Sequence, residues 1–338
     1  MKDLKILSLF SGAGGLDLGF KNAGFNISTS NEIDADSFET YKYNFPETKH
    51  IGKSIIKLER DELDKYYDGI IGGPPCQSWS EAGSQRGIND PRGKLFYEYI
   101  RILDLIKPKF FLAENVSGIL HKKHQDSLKN ITERFSEVGY NVDYKLLDAV
   151  DYNVPQNRKR VFIIGIRNDI EKNFIFPSIN LFKPNKTLKD ALSDLPKPKP
   201  ALEKNKSNFK NHITDSNQVS NNEFMIGTFS TIFMSRNRVR NWDEPSFTIQ
   251  AGGRHAPIHP DAPKMEKVEK DKFQFCKKNI SKYRRLSVRE CARIQTFPDE
   301  FVFFYNQVAD AYKMIGNAVP VKLAEAIAVE INNQLFKS

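Results

Sequence analysis

The chain has 338 residues, 28% of them charged and 39% hydrophobic, with 51 basic against 42 acidic side chains and a formal net charge of +9. This length and apolar fraction exclude disorder throughout and predict two domains rather than one. No apolar run nears the twenty or so residues of a bilayer span, the first ten residues lack a secretory pattern, and Cys76, Cys276 and Cys291 fit neither a disulfide framework nor a metal-binding Cys-x-x-Cys pair, so a cytoplasmic protein without membrane or metal partner is expected.

Along the chain, residues 6–9, 26–30, 69–71, 110–113 and 161–166 read as strands, with an amphipathic helix over 95–106 between two of them. This alternation predicts an α/β architecture, a Rossmann-like, doubly wound and mostly parallel sheet that binds ligands at the carboxyl ends of its strands. Beyond residue 176 the composition turns to Pro, Lys, Asn and Ser, before a near-neutral helical stretch well patterned for packing over 321–335. Residues 182–285 carry 21 basic and 11 acidic side chains, which leaves −1 for the rest. The expected organisation is a catalytic and cofactor-binding domain over 1–180, a smaller irregular β-rich domain over 181–285, and a return to the first domain over 286–338.

Such segregated charge suits a polyanion-binding domain beside a neutral catalytic one. The lysine tracts at 197–206 and 264–282 read as solvated surface. Arginine is different: in Ser235-Arg-Asn-Arg-Val-Arg-Asn-Trp242, Arg236, Arg238 and Arg240 alternate, so an extended strand would present a comb of three guanidiniums on one side. Guanidinium forks match both phosphate and the guanine edge, the alternative being a surface strand of ion pairs.

Four motifs carry candidate chemistry. Ser8-Leu-Phe-Ser-Gly-Ala-Gly-Gly-Leu-Asp-Leu-Gly19 follows the first strand and opens a helix, either as a cradle for a nucleotide-like ligand or as a plain structural turn; its spacing is not that of a dinucleotide fold, which counts against a dehydrogenase. Glu32, after the second strand, suits ribose hydroxyls or is an ordinary loop acid. In Ile71-Gly-Gly-Pro-Pro-Cys-Gln-Ser-Trp-Ser80, two prolines stiffen the loop that carries Cys76, a nucleophile if its neighbours lower its pKa and otherwise an inert thiol. Ala113-Glu-Asn-Val116 and Pro155-Gln-Asn-Arg-Lys-Arg160 add a carboxylate and two cations at further strand ends. Each alone is compatible with an ion pair; together they supply a nucleophile, an acid and an oxygen clamp.

In this order, with Arg284-Arg-Leu-Ser-Val-Arg-Glu-Cys-Ala-Arg-Ile-Gln295 and Gly316-Asn-Ala-Val-Pro320 following, the chain resembles the DNA (cytosine-5)-methyltransferases, most closely those of restriction-modification systems that recognise GGCC. The resemblance implies that Cys76 adds to carbon 6 of a flipped-out cytosine, that Glu114 holds or protonates ring nitrogen 3, that Arg158 contacts the exocyclic oxygen and that Arg160 supports the site. It implies S-adenosyl-L-methionine as cofactor, with Phe10, Gly12, Ala13, Gly14 and Gly15 around it, Glu32 on ribose, Ile33 and Ile55 against adenine, and Pro75, Leu95, Asn317 and Val319 completing the pocket. Ser54 stands where the family usually has an Asp for the adenine amino group, a departure that weakens that contact. Double-stranded DNA is the implied partner, met by Arg236, Arg238, Arg240, Arg254, Ser80 and Gln156, with residues 80–93 closing over the site. A monomer paired functionally with a cognate restriction endonuclease is implied as well. A transfer-RNA cytosine-5 methyltransferase and a non-catalytic DNA-binding protein of the same fold are the competing expectations, to be separated by the variable segment of about 170–283.

Overall fold

The computed structural model describes residues 3–75, 94–179, 185–208 and 219–337. Among them, β1 (Lys5–Leu9), β2 (Asn26–Asn31), β3 (Lys49–Ile51), β4 (Gly69–Gly72), β5 (Phe110–Val116), β6 (Tyr140–Asp148) and β7 (Lys159–Arg167) form one sheet in the order β3-β2-β1-β4-β5-β7-β6. Every ladder is parallel except the two made by β7, which runs antiparallel to both β5 and β6.

The apolar runs expected as strands are strands because both faces of the sheet are covered, the condition under which strands read as continuous rather than alternating hydrophobics. Side chains still divide with a period of two. Ile6, Phe110, Leu112, Phe162 and Ile164 face a layer made by α1 (Gly15–Asn22) and α8 (Val321–Leu335), with Phe20, Leu323, Ile327 and Ile331 at its centre. Leu7, Leu9, Phe111, Ala113, Val161 and Ile163 face α3 (Lys94–Ile106) and α4 (Gln125–Glu137), through Phe96, Tyr99, Leu103 and Phe135.

The shorter helices α2 (Phe38–Asn44), α5 (Leu188–Leu192), α6 (Val288–Ile294) and α7 (Val308–Asn317) build a second core in which Leu188 and Leu192 pack with Leu286, Cys291, Phe297, Tyr312 and Ile315. Residues 188–201 are thus packed against the C-terminal stretch. A smaller core of Phe233, Val239, Ile258, Ala262, Met265 and Tyr283 underlies the arginine-rich segment. Its surroundings are irregular: the described strands there are the pair β8 (Lys199–Pro200) and β9 (Glu223–Phe224) and the hairpin β10 (Glu266–Glu269) and β11 (Lys272–Gln274). No helix among the described residues is long and apolar enough to cross a membrane.

Gly165 on β7 lies opposite Phe111 on β5, and a Cβ added there would sit 2.1 Å from the Phe111 ring. That ring cannot give way easily, being stacked on Phe135 at 4.2 Å and edge-on to Tyr140 at 5.4 Å. Gly165→Ala is expected to lower the unfolding free energy by about 1–3 kcal/mol, as overpacking does. A urea titration checks it, and an unchanged midpoint and slope would show that the ring has room to move.

Candidate active site

β1 and β4 are neighbours, yet the chain leaves them toward opposite edges of the sheet: β2 and β3 lie on one side, β5, β7 and β6 on the other. At such a switch point the loops diverge and leave a crevice beyond the carboxyl ends of the strands. Here the crevice is a cavity of about 510 Å³ walled by the end of β1 and its glycine turn, by Glu32 after β2, by residues 72–75 at and after the end of β4, by Glu114, Asn115 and Val116 at the end of β5, by Arg160, and by Met314 and residues 316–319.

One half of the cavity has the features of a nucleoside site. The Glu32 carboxylate accepts the backbone N–H groups of Gly12 (2.9 Å), Ile33 (2.7 Å) and Asp34 (2.8 Å), which fixes its direction and leaves acceptor capacity free. Gly12 is left-handed, with φ at 52°, and a Cβ added to it would meet nothing within 4 Å, so its α-carbon looks into open space. Phe10, Ala13, Gly15, Ile33, Pro75, Leu95, Asn317 and Val319 line the same cavity. The residues present therefore fit a group combining ribose hydroxyls with an apolar base.

Three expected cofactor residues are not part of this wall. Gly14 is the left-handed N-cap of α1, with φ at 89°, and faces the rings of Phe45 and Tyr41 instead. Ser54 precedes a short 3-10 turn, Ile55–Lys57, and Ile55 is buried in the core with Leu7, Leu9 and Tyr99. The Asn31 side-chain amide donates to the carbonyls of Ile51 (2.9 Å) and Lys53 (2.8 Å), which ties the β3 end to β2.

Asp17, in the first turn of α1, was not expected and lines the cavity floor. It accepts the Ser8 hydroxyl at 2.7 Å and the Tyr41 hydroxyl at 2.6 Å. Burial pushes its pKa up to about 6 against the pull of those two hydrogen bonds, and the charge of Glu32 adds to the rise. Its signal in the sequence is an acid two positions after the last glycine of the turn, where a helix N-terminus favours negative charge.

On the opposite wall Glu114 and Arg160 form a nearly buried pair, Arg160 Nε to Glu114 Oε1 at 2.8 Å. Burial raises the Glu114 pKa, while the charges of Arg160 and then Arg158 oppose the rise. The carboxyl therefore keeps a proton more readily than a surface glutamate, beside a cation that can hold an oxygen. Asn115 ties this strand end to the loop after β4 through its amide, which donates to the Pro74 carbonyl at 3.3 Å. Cys76 and Ser80 lie outside the described residues.

Two expected contacts are corrected. Arg158 is 1% exposed and does not reach the cavity: its guanidinium donates to the carbonyls of Ile249 (2.8 Å), Gly316 (2.8 Å) and Ala318 (3.0 Å). Arg160, two residues on, faces the crevice in its place. Gln156 is fully buried and unavailable to DNA, since its amide donates to Gln295 Oε1 and accepts from Ile249 N, both at 2.8 Å.

Nor do the three alternating arginines form an even comb. Residues 235–241 make a single bridge, Val239 to Ile258, rather than a ladder. Arg238 turns inward, its guanidinium donating to the carbonyls of Phe233 (2.8 Å) and Ile232 (2.9 Å), and Arg240 pairs with Glu244 at 3.0 Å over the Phe247 ring. Arg236 and Arg254 are exposed. Arg236 and Arg238 border a second cavity of about 220 Å³, together with Asn157, Phe247, Thr248, Gln250, His255 and Pro257. Burial, then the charges of Arg238, Arg254 and Arg285, hold the His255 pKa below its usual range, which favours a neutral imidazole.

Comparison with known proteins bears on this geometry. The family model for C-5 cytosine-specific DNA methylases matches residues 4–333. The chain is 56% identical to the Type II methyltransferase M.FnuDI of Fusobacterium nucleatum over 98% of its own length and 95% of that protein, and 56% identical to M.MthTI of Methanothermobacter thermautotrophicus over 98% of both. Among solved structures it is similar to a prophage-encoded candidate DNA modification methyltransferase from E. coli, with a TM-score of 0.76 at 26% identity over 98% of this chain and 99% of that one. The fold is also that of Spodoptera frugiperda DNMT2, with a TM-score of 0.68 at 21% identity over 97% and 99% of the two chains.

Asp17 gives the site a pH signature. Its folded-state pKa is raised from 3.8 to about 6, so the native state binds the extra proton and burial of the ionised form costs stability above pH 6, a cost relieved as pH falls toward 4. Asp17→Asn should therefore gain on the wild type by roughly 2–3 kcal/mol between pH 4 and pH 7.5. Denaturant unfolding of both proteins at the two pH values checks this; a stability difference independent of pH would mean that Asp17 does not titrate in the fold.

Proposed function

The chain belongs to the C-5 cytosine-specific DNA methylase family and is a DNA cytosine-5 methyltransferase; from that premise we propose that it methylates a cytosine within GGCC in duplex DNA, using S-adenosyl-L-methionine, as the modification partner of a cognate restriction endonuclease. The observation that carries the reading is that the Glu114–Arg160 pair and the Glu32–Gly12 cradle face one continuous cavity. A base and a nucleoside cofactor entering from opposite sides would meet there. The domain division at about residues 180 and 285, with the middle part recognising the target and the protein acting as a monomer, belongs to the same proposal.

Carbon 5 of cytosine is a poor nucleophile, so density must be loaded onto it by addition at carbon 6. In this reading the Cys76 thiolate forms that bond; Pro75, the residue before it, lines the cavity. Glu114 gives its proton to ring nitrogen 3 as the thiolate adds, and its burial raises its affinity for that proton above that of a surface glutamate. Arg160 holds the exocyclic oxygen, whose negative charge grows in the same step, and pairs with Glu114 once that group is ionised. S-adenosyl-L-methionine, when bound, supplies the activated methyl group. Loss of the carbon 5 proton and release of the thiolate restore the ring. The flipped base gives up a few kcal/mol of stacking and pairing, offset by contacts from both domains.

Target reading falls to the exposed Arg236 and Arg254, with Arg238 at the wall of the second cavity. A guanidinium that reads guanine contributes about 1–3 kcal/mol of discrimination.

The test is transfer of labelled methyl from S-adenosyl-L-methionine to duplexes with and without GGCC, with transfer RNA and a Cys76→Ala protein alongside. Label is expected on GGCC duplexes alone and only with Cys76 present. Label on every duplex would overturn the site assignment, label on transfer RNA the substrate, and label with Cys76→Ala the covalent step. In the same assay Arg236→Ala should relax discrimination by about ten- to a hundredfold at one base pair, whereas a uniform loss on all sequences would make Arg236 a phosphate contact. Arg160→Met should lower kcat by about a hundredfold or more with little change in cofactor affinity.

A further inference from the structure

Gln156 and Arg158 sit in a seam between the two cavities. On one side, residues 246–250 are zipped onto residues 155–158: Ser246 N donates to the Pro155 carbonyl (2.8 Å), Asn157 N to the Ser246 carbonyl (3.0 Å), the Thr248 hydroxyl to the Asn157 carbonyl (2.6 Å) and Ile249 N to Gln156 Oε1 (2.8 Å). On the other side, the end of α7 and the residues after it, Ile315 to Val319, are held by Arg158, through the Gly316 and Ala318 carbonyls, and by the Gln295 amide, which donates to the Ile315 (2.8 Å) and Ala318 (3.2 Å) carbonyls. Gln156 and Gln295 are bonded to each other at 2.8 Å, so the network closes on itself.

The two backbones touch with no side chain between them. A Cβ added to Gly316 would lie 2.3 Å from both the carbonyl carbon and the oxygen of Gln250 and 2.4 Å from the amide nitrogen of Ala251. The outer faces look into different sites: Gly316, Asn317, Ala318 and Val319 line the larger cavity, while Phe247, Thr248 and Gln250 line the smaller one beside Arg236 and Arg238. A ligand that orders either wall restricts the other, because close-packed backbone has no slack to absorb a shift. The second ligand then loses less conformational freedom on binding.

We propose that the seam made by Gln156, Arg158, Gln295 and Gly316 couples the two sites, so that cofactor and target duplex each raise the affinity of the protein for the other. The proposal rests on the assignment of the larger cavity to the cofactor and the smaller one to the DNA. Gln156, Arg158 and Gln295 are positioning residues in it. Linkage requires the same factor whichever ligand is added first.

The test uses the full chain with S-adenosylhomocysteine and a GGCC duplex. The Kd of each is measured alone and with the other saturating, by calorimetry for the nucleoside and fluorescence anisotropy for the duplex. The wild type is expected to show a coupling factor of about fivefold or more, equal in both directions. Gly316→Ala, which forces the two backbones apart, and Arg158→Lys, whose donors sit on one nitrogen in place of the two guanidinium nitrogens that serve the three carbonyls, should bring the factor to within about twofold of unity. A role limited to stability would lower the unfolding midpoint and leave the factor unchanged, which overturns the proposal. So does a wild type that binds both ligands with a factor of one, an outcome that leaves the functional reading standing. Failure of the wild type to bind either ligand removes that reading and the seam with it. Should the variants not fold, hydrogen exchange on the wild type decides: S-adenosylhomocysteine alone should slow exchange of the amides at 247–250, and protection confined to 316–319 would overturn the coupling.

Discussion

A sheet covered on both faces can meet a ligand only at the ends of its strands, and everything functional in this protein follows from that restriction. Burying Ile6, Leu7, Leu9, Phe110 and Phe111 on both faces denies the middle of the sheet to polar chemistry. Glu32 and the loop leading to Cys76 each follow a buried strand, Glu114 lies near the end of one, and all gather at one rim, where the divergence of β1 and β4 opens the crevice. The helical layers do no chemistry, yet without them the strand ends would not be held in register.

Three charged side chains close to this rim are buried or nearly so, and each is handled differently. Arg160 is balanced by a carboxylate and stays at the cavity wall. Arg158 lies among backbone carbonyls, whose partial charges stabilise it without a counter-ion while it pins three segments. Asp17 receives two hydroxyl donors but no cation, and its proton affinity rises accordingly. Two arginines of identical chemistry, two positions apart, thus serve unlike ends, since alternate residues along an extended chain need not meet the same surroundings once the chain enters a sheet at Lys159.

The strands and the long helices were legible in the sequence because their burial leaves a pattern: the stretch expected over 321–335 is the helix Val321–Leu335, and the run at 161–166 lies inside β7. Most of the cavity wall was legible too, since glycines, prolines and acids at strand ends are conspicuous. What escaped was set by long-range packing. Nothing local distinguishes Arg158, which meets carbonyls 91, 158 and 160 positions away, from Arg160, which meets a carboxylate across the neighbouring strand. The arginine comb failed for a related reason: alternation predicts one face only if a partner strand keeps the chain extended, and residues 235–241 have a single bridge in place of a ladder. Ser54 and Ile55 are expected at the cavity from their position in a motif, whereas Ile55 packs into the core with Leu7, Leu9 and Tyr99 and neither residue lines the cavity.

The reversed direction of β7 has a consequence for how the rim could be assembled at all. Parallel strands deliver only their last residues to it, as β5 does with Glu114, and the loops that follow them supply the rest. The antiparallel strand brings its beginning there, with Arg160 opposite Val116 in the ladder. The cation therefore arrives on a rigid ladder rather than on a loop, and its facing is fixed by strand parity. Slipping β7 by one residue against β5 would present Lys159 or Val161 to Glu114 and turn the guanidinium to the other side of the sheet. The connector between β6 and β7 thus acts as a ruler whose length in residues, more than its composition, decides which side chain the rim receives.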